Sequence, residues 1–180
     1  TEFGAIKRCA VIRNRYSIER DLDLYIVSEN REGFLIPPNI TLKSNLKRWL
    51  NTVRMINDTV DILDAYIINF GIEFIVAPSI GVDKYDLLAA CINQLKNKFS
   101  GTMYYIGEHL LVTQIYSELN KVKGILDVIK VTITNKNGGV YSSTEFDINS
   151  NFSPEGTYII APKNCIFELK YPETDIKGKI

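Results

Sequence analysis

The stretch YYIGEHLLVTQIYSELNKVKGILDVIKVTI, Tyr104 to Ile133, decides how this chain folds. It contains the only histidine, His109, directly after Glu108. Residues 104–112 read as extended. Thr113 is placed to cap a short helix that carries Ile115, Leu119 and Val122 inward. Gly124 ends that helix, and residues 125–134 return as a strand. Adjacent residues of an extended segment point to opposite faces, so Glu108 and His109 cannot act as one dyad. A partly exposed His109 with a polar partner is the expectation.

Working outward, Ala5–Ile12 and Leu22–Val27 read as strands closed into a hairpin by the polar link Asn14–Asp21. An irregular segment follows through Gly33 and Pro37-Pro38. Thr41 to Ile56 has helical spacing, with Leu42, Leu46, Trp49, Leu50, Val53 and Ile56 on one stripe and Lys43, Lys47 and Arg54 opposite. In Tyr66–Val76 every second residue is apolar: Tyr66, Ile68, Phe70, Ile72, Phe74 and Val76. Asp83, with Asp86 three residues on, is placed to cap a helix whose stripe is Leu88, Cys91, Ile92, Leu95 and Phe99, and Gly101 is placed to end it. The order predicts an α+β fold, a small mixed sheet covered on one face by the Trp49 and Leu95 helices. Composition changes at Asn137-Gly138-Gly139, dividing an α+β domain, 1–135, from a C-terminal extension, 136–180. In the extension Thr157–Ala161, a turn at Pro162-Lys163-Asn164 and Cys165–Tyr171 read as a β-hairpin, and 172–180 as a surface tail.

At 180 residues and 46% hydrophobic, the chain has material for a sizeable core. Its opening on Thr1-Glu2-Phe3, without methionine, suggests a piece of something longer. Lys+Arg and Asp+Glu are both 21, which argues against a dedicated nucleic-acid binder. No apolar run approaches a membrane span. Cys9, Cys91 and Cys165 lie far apart, so reduced thiols are expected and a disulfide framework or zinc site is not. Cys9 and Cys91 sit among apolar residues and read as packed. The N-x-S/T triplets at Asn39, Asn57 and Asn151 mean little without a secretory signal.

Chemistry needs groups within hydrogen-bond reach, and the chain supplies few. It has no HExxH, no G-x-S-x-G and no Gly-rich phosphate loop after a strand. Asp21/Asp23 and Asp61/Asp64 are the candidate carboxylate pairs, explained by alternation in an edge strand and by the polar start of a strand. The basic face of the Thr41–Ile56 helix reads as solvated. No catalytic, metal or cofactor-binding residue is expected, and the chain reads as no enzyme.

The order of these pieces resembles the baseplate J family of contractile-tail phage proteins. The likeness rests on Tyr105-Ile106-Gly107-Glu108, the short helix after Thr113, and the run Val122, Gly124, Ile125, Val128. Upstream, Ile72-Glu73-Phe74-Ile75-Val76-Ala77-Pro78 and the helix beginning Asp86-Leu87-Leu88 agree, so that the match runs from Ala5 to Thr134. The ending Phe167–Pro172 and Asp175–Ile180 is similar to that of a wedge-forming member. The resemblance implies a structural protein of the virion tail, assembled in the host cytoplasm. It would self-associate as a homodimer and join other baseplate wedge proteins into a ring around the tail tube. A non-catalytic regulatory or nucleic-acid-binding α+β module is the alternative. Ile36–Asn45 and the hairpin Thr157–Tyr171 are the expected contact regions, the second for want of local core around Tyr158, Ile160, Ile166 and Leu169. Phe34, Tyr104, Phe152 and Tyr158 are expected to contribute.

Overall fold

A computed structural model describes residues 6–13, 20–55, 58–99 and 104–180. The fold is α+β, with mixed sheets and helices. The chain divides into two compact units: Thr1–Ile67 with Tyr105–Gly107 and Pro162–Ile166, and Ile68–Tyr104 with Glu108–Ala161 and Phe167–Ile180. Each unit has its own sheet and its own helical cover, where a single sheet is expected from the sequence.

In the first unit β1 (Ile6–Arg13) runs antiparallel to β2 (Arg20–Glu29). The short β3 (Leu35–Ile36) also pairs with β2. The helix α1 (Ile40–Val53) leads to β4 (Asp58–Asp64), which lies parallel to β2. A strand, a helix and a parallel strand return the helix to the sheet its flanking strands make, so α1 covers this sheet and no other. Leu24, Ile26, Leu42 and Leu46 form the buried cluster, with Leu50, Val60 and Ile62 packed beside it. The apolar stripe outruns that cluster: Trp49 is 47% exposed and Val53 more so, which corrects the inward placement of both. Asn39 caps α1, its side chain accepting from Leu42 N at 3.0 Å.

In the second unit β5 (Tyr66–Pro78) is central. Antiparallel to it lies β7 (Ile125–Lys136), and parallel to it the chain-terminal β10 (Ile176–Lys179). β9 (Cys165–Glu168) also pairs with β5. The expected alternation fails in an instructive way: Ile67 through Ile72 are all buried. Both faces of the strand are covered, the behaviour of a sheet interior. Tyr66, at the strand's start, points out, contrary to its predicted phase. At Gly71 a β-carbon would come within 2.9 Å of the Asp175 carbonyl oxygen, so only glycine lets the chain's end lie this close.

The helix α2 (Lys84–Phe99) packs on β10, and its buried residues are Leu87, Cys91, Leu95 and Phe99. Asp83 caps it, accepting from Tyr85 N at 2.8 Å and Asp86 N at 3.1 Å. Gly101, placed to end it, lies outside the described residues. The helix α3 (Val112–Asn120) packs on β7. Thr113 lies within α3 and does not cap it; the Thr157 carbonyl accepts from Val112 N and Thr113 N at 3.0 and 3.2 Å. A backbone oxygen far along the chain thus satisfies the first helical donors.

The C-terminal segment is strand, turn, strand, as its pattern predicts, with Cys165 N donating to Pro162 O across the turn. The two strands take different partners: β8 (Tyr158–Ile159) pairs with β6 (Leu110–Leu111), and β9 with β5. Residues 172–180 are no loose tail. A short helix α4 (Pro172–Asp175) turns the chain into β10.

Candidate assembly surface

Glu108 and His109 lie in the approach to β6. His109 Nδ1 accepts from Ala161 N at 3.0 Å, which leaves the proton of the neutral ring on Nε2. The ring stacks on Tyr158, centroids 5.3 Å apart and planes 17° from parallel. The histidine therefore joins β6 to β8 and is architectural.

The carboxylate pairs and the basic helix face answer one another. Lys43 Nζ donates to both oxygens of Asp64, at 2.9 and 2.8 Å, and Lys47 Nζ to Asp61 Oδ1 at 3.1 Å. The register sets Asp23 beside Asp61 on adjacent strands, while Asp21 lies beside Thr59. Two of the lysines that could have faced phosphate are held by the chain's own acids. Of the triplet asparagines, Asn39 is a helix cap and Asn151 donates to Asp147 O; Asn57 lies outside the described residues.

Cys9 is exposed, which corrects its reading as packed, whereas Cys91 and Cys165 are buried. Burial raises the Cys91 thiol and pushes the Cys165 thiol up to about 11. Thiolate is the species that reacts with alkylating agents. In native protein at pH 8, iodoacetamide is expected to modify Cys9 alone, with Cys91 and Cys165 following only in denaturant. Equal labelling of all three, read by mass spectrometry of peptides, would contradict these positions. Among the described residues no group of three or more His, Cys, Asp and Glu side chains could hold a metal ion. No described helix is long and apolar enough to cross a membrane.

The regions expected to make subunit contacts are partly used up. Tyr104 is buried, its ring edge-on to Phe70 and Phe167, and Ile159 and Ile166 are fully buried. Around Ile36–Asn45, Pro38 is buried while Ile36 and Ile40 are exposed. Most exposed apolar residues of the second unit fall into two groups; Tyr158 and Ile160 of the second lie in the hairpin expected from the sequence to make contacts, and the first was not anticipated.

The first group surrounds the loop from β5 to α2. Ile80 is fully exposed, and Tyr85 nearly so. Ser79 N donates to Gly124 O at 2.9 Å, tying this loop to the start of β7. There the register skips Leu126 and Ile129, one at each irregularity in the β5–β7 pairing, and both side chains are exposed. A bulge is what turns an apolar residue away from the face that alternation would give it. The second group is the outer face of the β6–β8 pair. Leu110 and Ile159 point inward from that pair and are buried; His109, Leu111, Tyr158 and Ile160 take the other side.

The fold is similar to that of a chain in the cryo-EM structure of the anti-feeding prophage (AFP) baseplate, six-fold symmetrised, with a TM-score of 0.50 and 10% identity. The likeness covers 83% of this chain and 29% of that one, so this chain spans less than a third of its length. No family model matches the chain, and no curated protein sequence does.

Proposed function

We propose that the chain is a structural protein of a phage tail baseplate wedge. It self-associates and joins other wedge proteins into a ring around the tail tube, within a virion assembled in the host cytoplasm. This reading places it with the baseplate J family, near the C-terminal part of the T4-like baseplate wedge protein. Residues 1–135 are then the assembly domain and 136–180 its extension. The observation that carries the proposal is the fold shared with a baseplate chain over 83% of this one. Exposed apolar residues at both ends of α3 add to it. No catalytic role is assigned to any residue.

The alternative, a nucleic-acid-binding module, is weakened by the pairing of Lys43 and Lys47 with Asp64 and Asp61. Phosphate-binding surfaces need cations available to displace counterions. Sedimentation velocity with and without duplex DNA and single-stranded RNA separates the two. A sedimentation coefficient that rises with protein concentration and ignores nucleic acid is expected. A shift produced by nucleic acid alone would favour the alternative.

A further inference from the structure

Asn137 is the only asparagine in the chain that a glycine follows. An asparagine side chain is open to attack by the backbone nitrogen of the next residue, and glycine, with no side chain of its own, obstructs that attack least. Asn137, Gly138 and Gly139 are all exposed, and a β-carbon at Gly138 would meet nothing within 4 Å. Bulk therefore does not hinder the reaction. Hydrogen bonding does: Gly138 N, the nitrogen that must attack, donates to Ser142 O at 3.0 Å.

Ser142 is itself held. Residues 137–144 follow β7 as a strap tied to β5 and to α4. Ser142 N donates to Oδ1 of Asn69 on β5 at 2.7 Å, and Asn69 is 1% exposed. The Tyr141 hydroxyl donates at 2.6 Å to the buried Asp175 at the end of α4, and its ring lies edge-on to Tyr171. Lys170 Nζ donates to Val140 O. These bonds tie the strap to distant parts of the chain and hold Ser142 O where Gly138 N meets it.

We propose that Asn137 is a deamidation site gated by this strap, reactive only while the strap is lifted from Asn69 and Asp175. In the lifted state Gly138 N gives up its proton and bonds to Asn137 Cγ. The Cγ–Nδ2 bond breaks, and the side-chain nitrogen leaves as ammonia. Water then opens the cyclic imide at either carbonyl, leaving aspartate or isoaspartate at position 137. Water is the only co-reactant. Both products add a negative charge, and isoaspartate adds one atom to the backbone between β7 and the strap. The observed rate is that of an open chain multiplied by the fraction of time the strap is open. The inference concerns one chain alone and is independent of the assembly reading.

The purified chain is held at mildly alkaline pH, and conversion at Asn137 is followed by mass spectrometry of peptides. The same chain in guanidinium chloride supplies the open-state rate, and each variant is compared with its own denatured form. Folded wild type should convert at least about tenfold more slowly than denatured. Tyr141→Phe should convert about tenfold faster than wild type, from the loss of one charge-assisted hydrogen bond. Lys170→Met unties the strap at Val140 and leaves Asp175 in place; it should also speed conversion, and it carries the test if Tyr141→Phe does not fold. Circular dichroism checks the fold of both. Wild type that converts as fast folded as denatured would overturn the gate. So would folded variants that convert no faster than wild type. A denatured chain that keeps Asn137 intact would overturn the site itself.

Discussion

Phe70→Ala is expected to lower the unfolding free energy by about 3–5 kcal/mol, the cost of emptying a large buried aromatic site. Phe70 is fully buried on β5, its ring edge-on to Tyr104 and Phe167 with centroids 6.1 Å away in each case. Phe167 in turn meets Phe146 edge-on at 5.9 Å. Four rings from separate parts of the chain share one apolar centre, and the edge-to-face geometry adds about 0.5–1.5 kcal/mol per pair beyond burial. Urea denaturation followed by tryptophan-independent far-ultraviolet dichroism gives the number. A loss below about 1 kcal/mol would mean that this cluster is not the centre of the second unit.

Asp175→Ala ranks next, with an expected loss of about 3 kcal/mol from two charge-assisted hydrogen bonds. Asp175 is 2% exposed, an unusual place for a carboxylate. Its Oδ1 accepts from the Tyr141 hydroxyl at 2.6 Å and its Oδ2 from Tyr171 N at 3.1 Å. These bonds fix the helical turn that feeds β10 into the sheet. Burial raises the Tyr141 phenol, and the Asp175 carboxylate raises it further. Removing the carboxylate should therefore move Tyr141 ionisation toward ordinary phenol behaviour in an ultraviolet pH titration. Denaturation supplies the stability loss, and Asp175→Asn, which keeps the shape and one acceptor, should cost less. A loss below about 1 kcal/mol from Asp175→Ala would contradict the role given to these hydrogen bonds.

What the sequence made legible was local. The run from Tyr66 to Val76 announces a strand by period, and Asp83 announces a helix by its capping chemistry. Gly124 and Gly138-Gly139 mark the turns at which their backbones take positive φ. Less legible was anything set by distant partners. The strand Asp58–Asp64 carries acids at three of its seven positions, so it reads as a polar lead-in; its pairing with β2 is a long-range event. Missing it merges two sheets into one and sends α1 to the wrong cover. Ile176–Lys179 has a single buried residue, Ile176, and no period to detect. Gly178 is required there because a side chain would collide with Phe74 and Leu88, a constraint visible only once α2 lies over β10. Leu126 and Ile129 look like ordinary strand residues until the register shows them bulged.

Most of the groups that the sequence offered as candidates for chemistry are already engaged by the chain itself. His109 holds Ala161 and Tyr158, Asp61 and Asp64 hold lysines, and Cys91 and Cys165 are packed.

Multi-angle light scattering of the purified chain, run across a wide concentration range, tests the central claim most directly. The account predicts a molar mass that climbs from the 20.5 kDa of one chain toward multiples of it as concentration rises. A mass that stays at one chain throughout would contradict it.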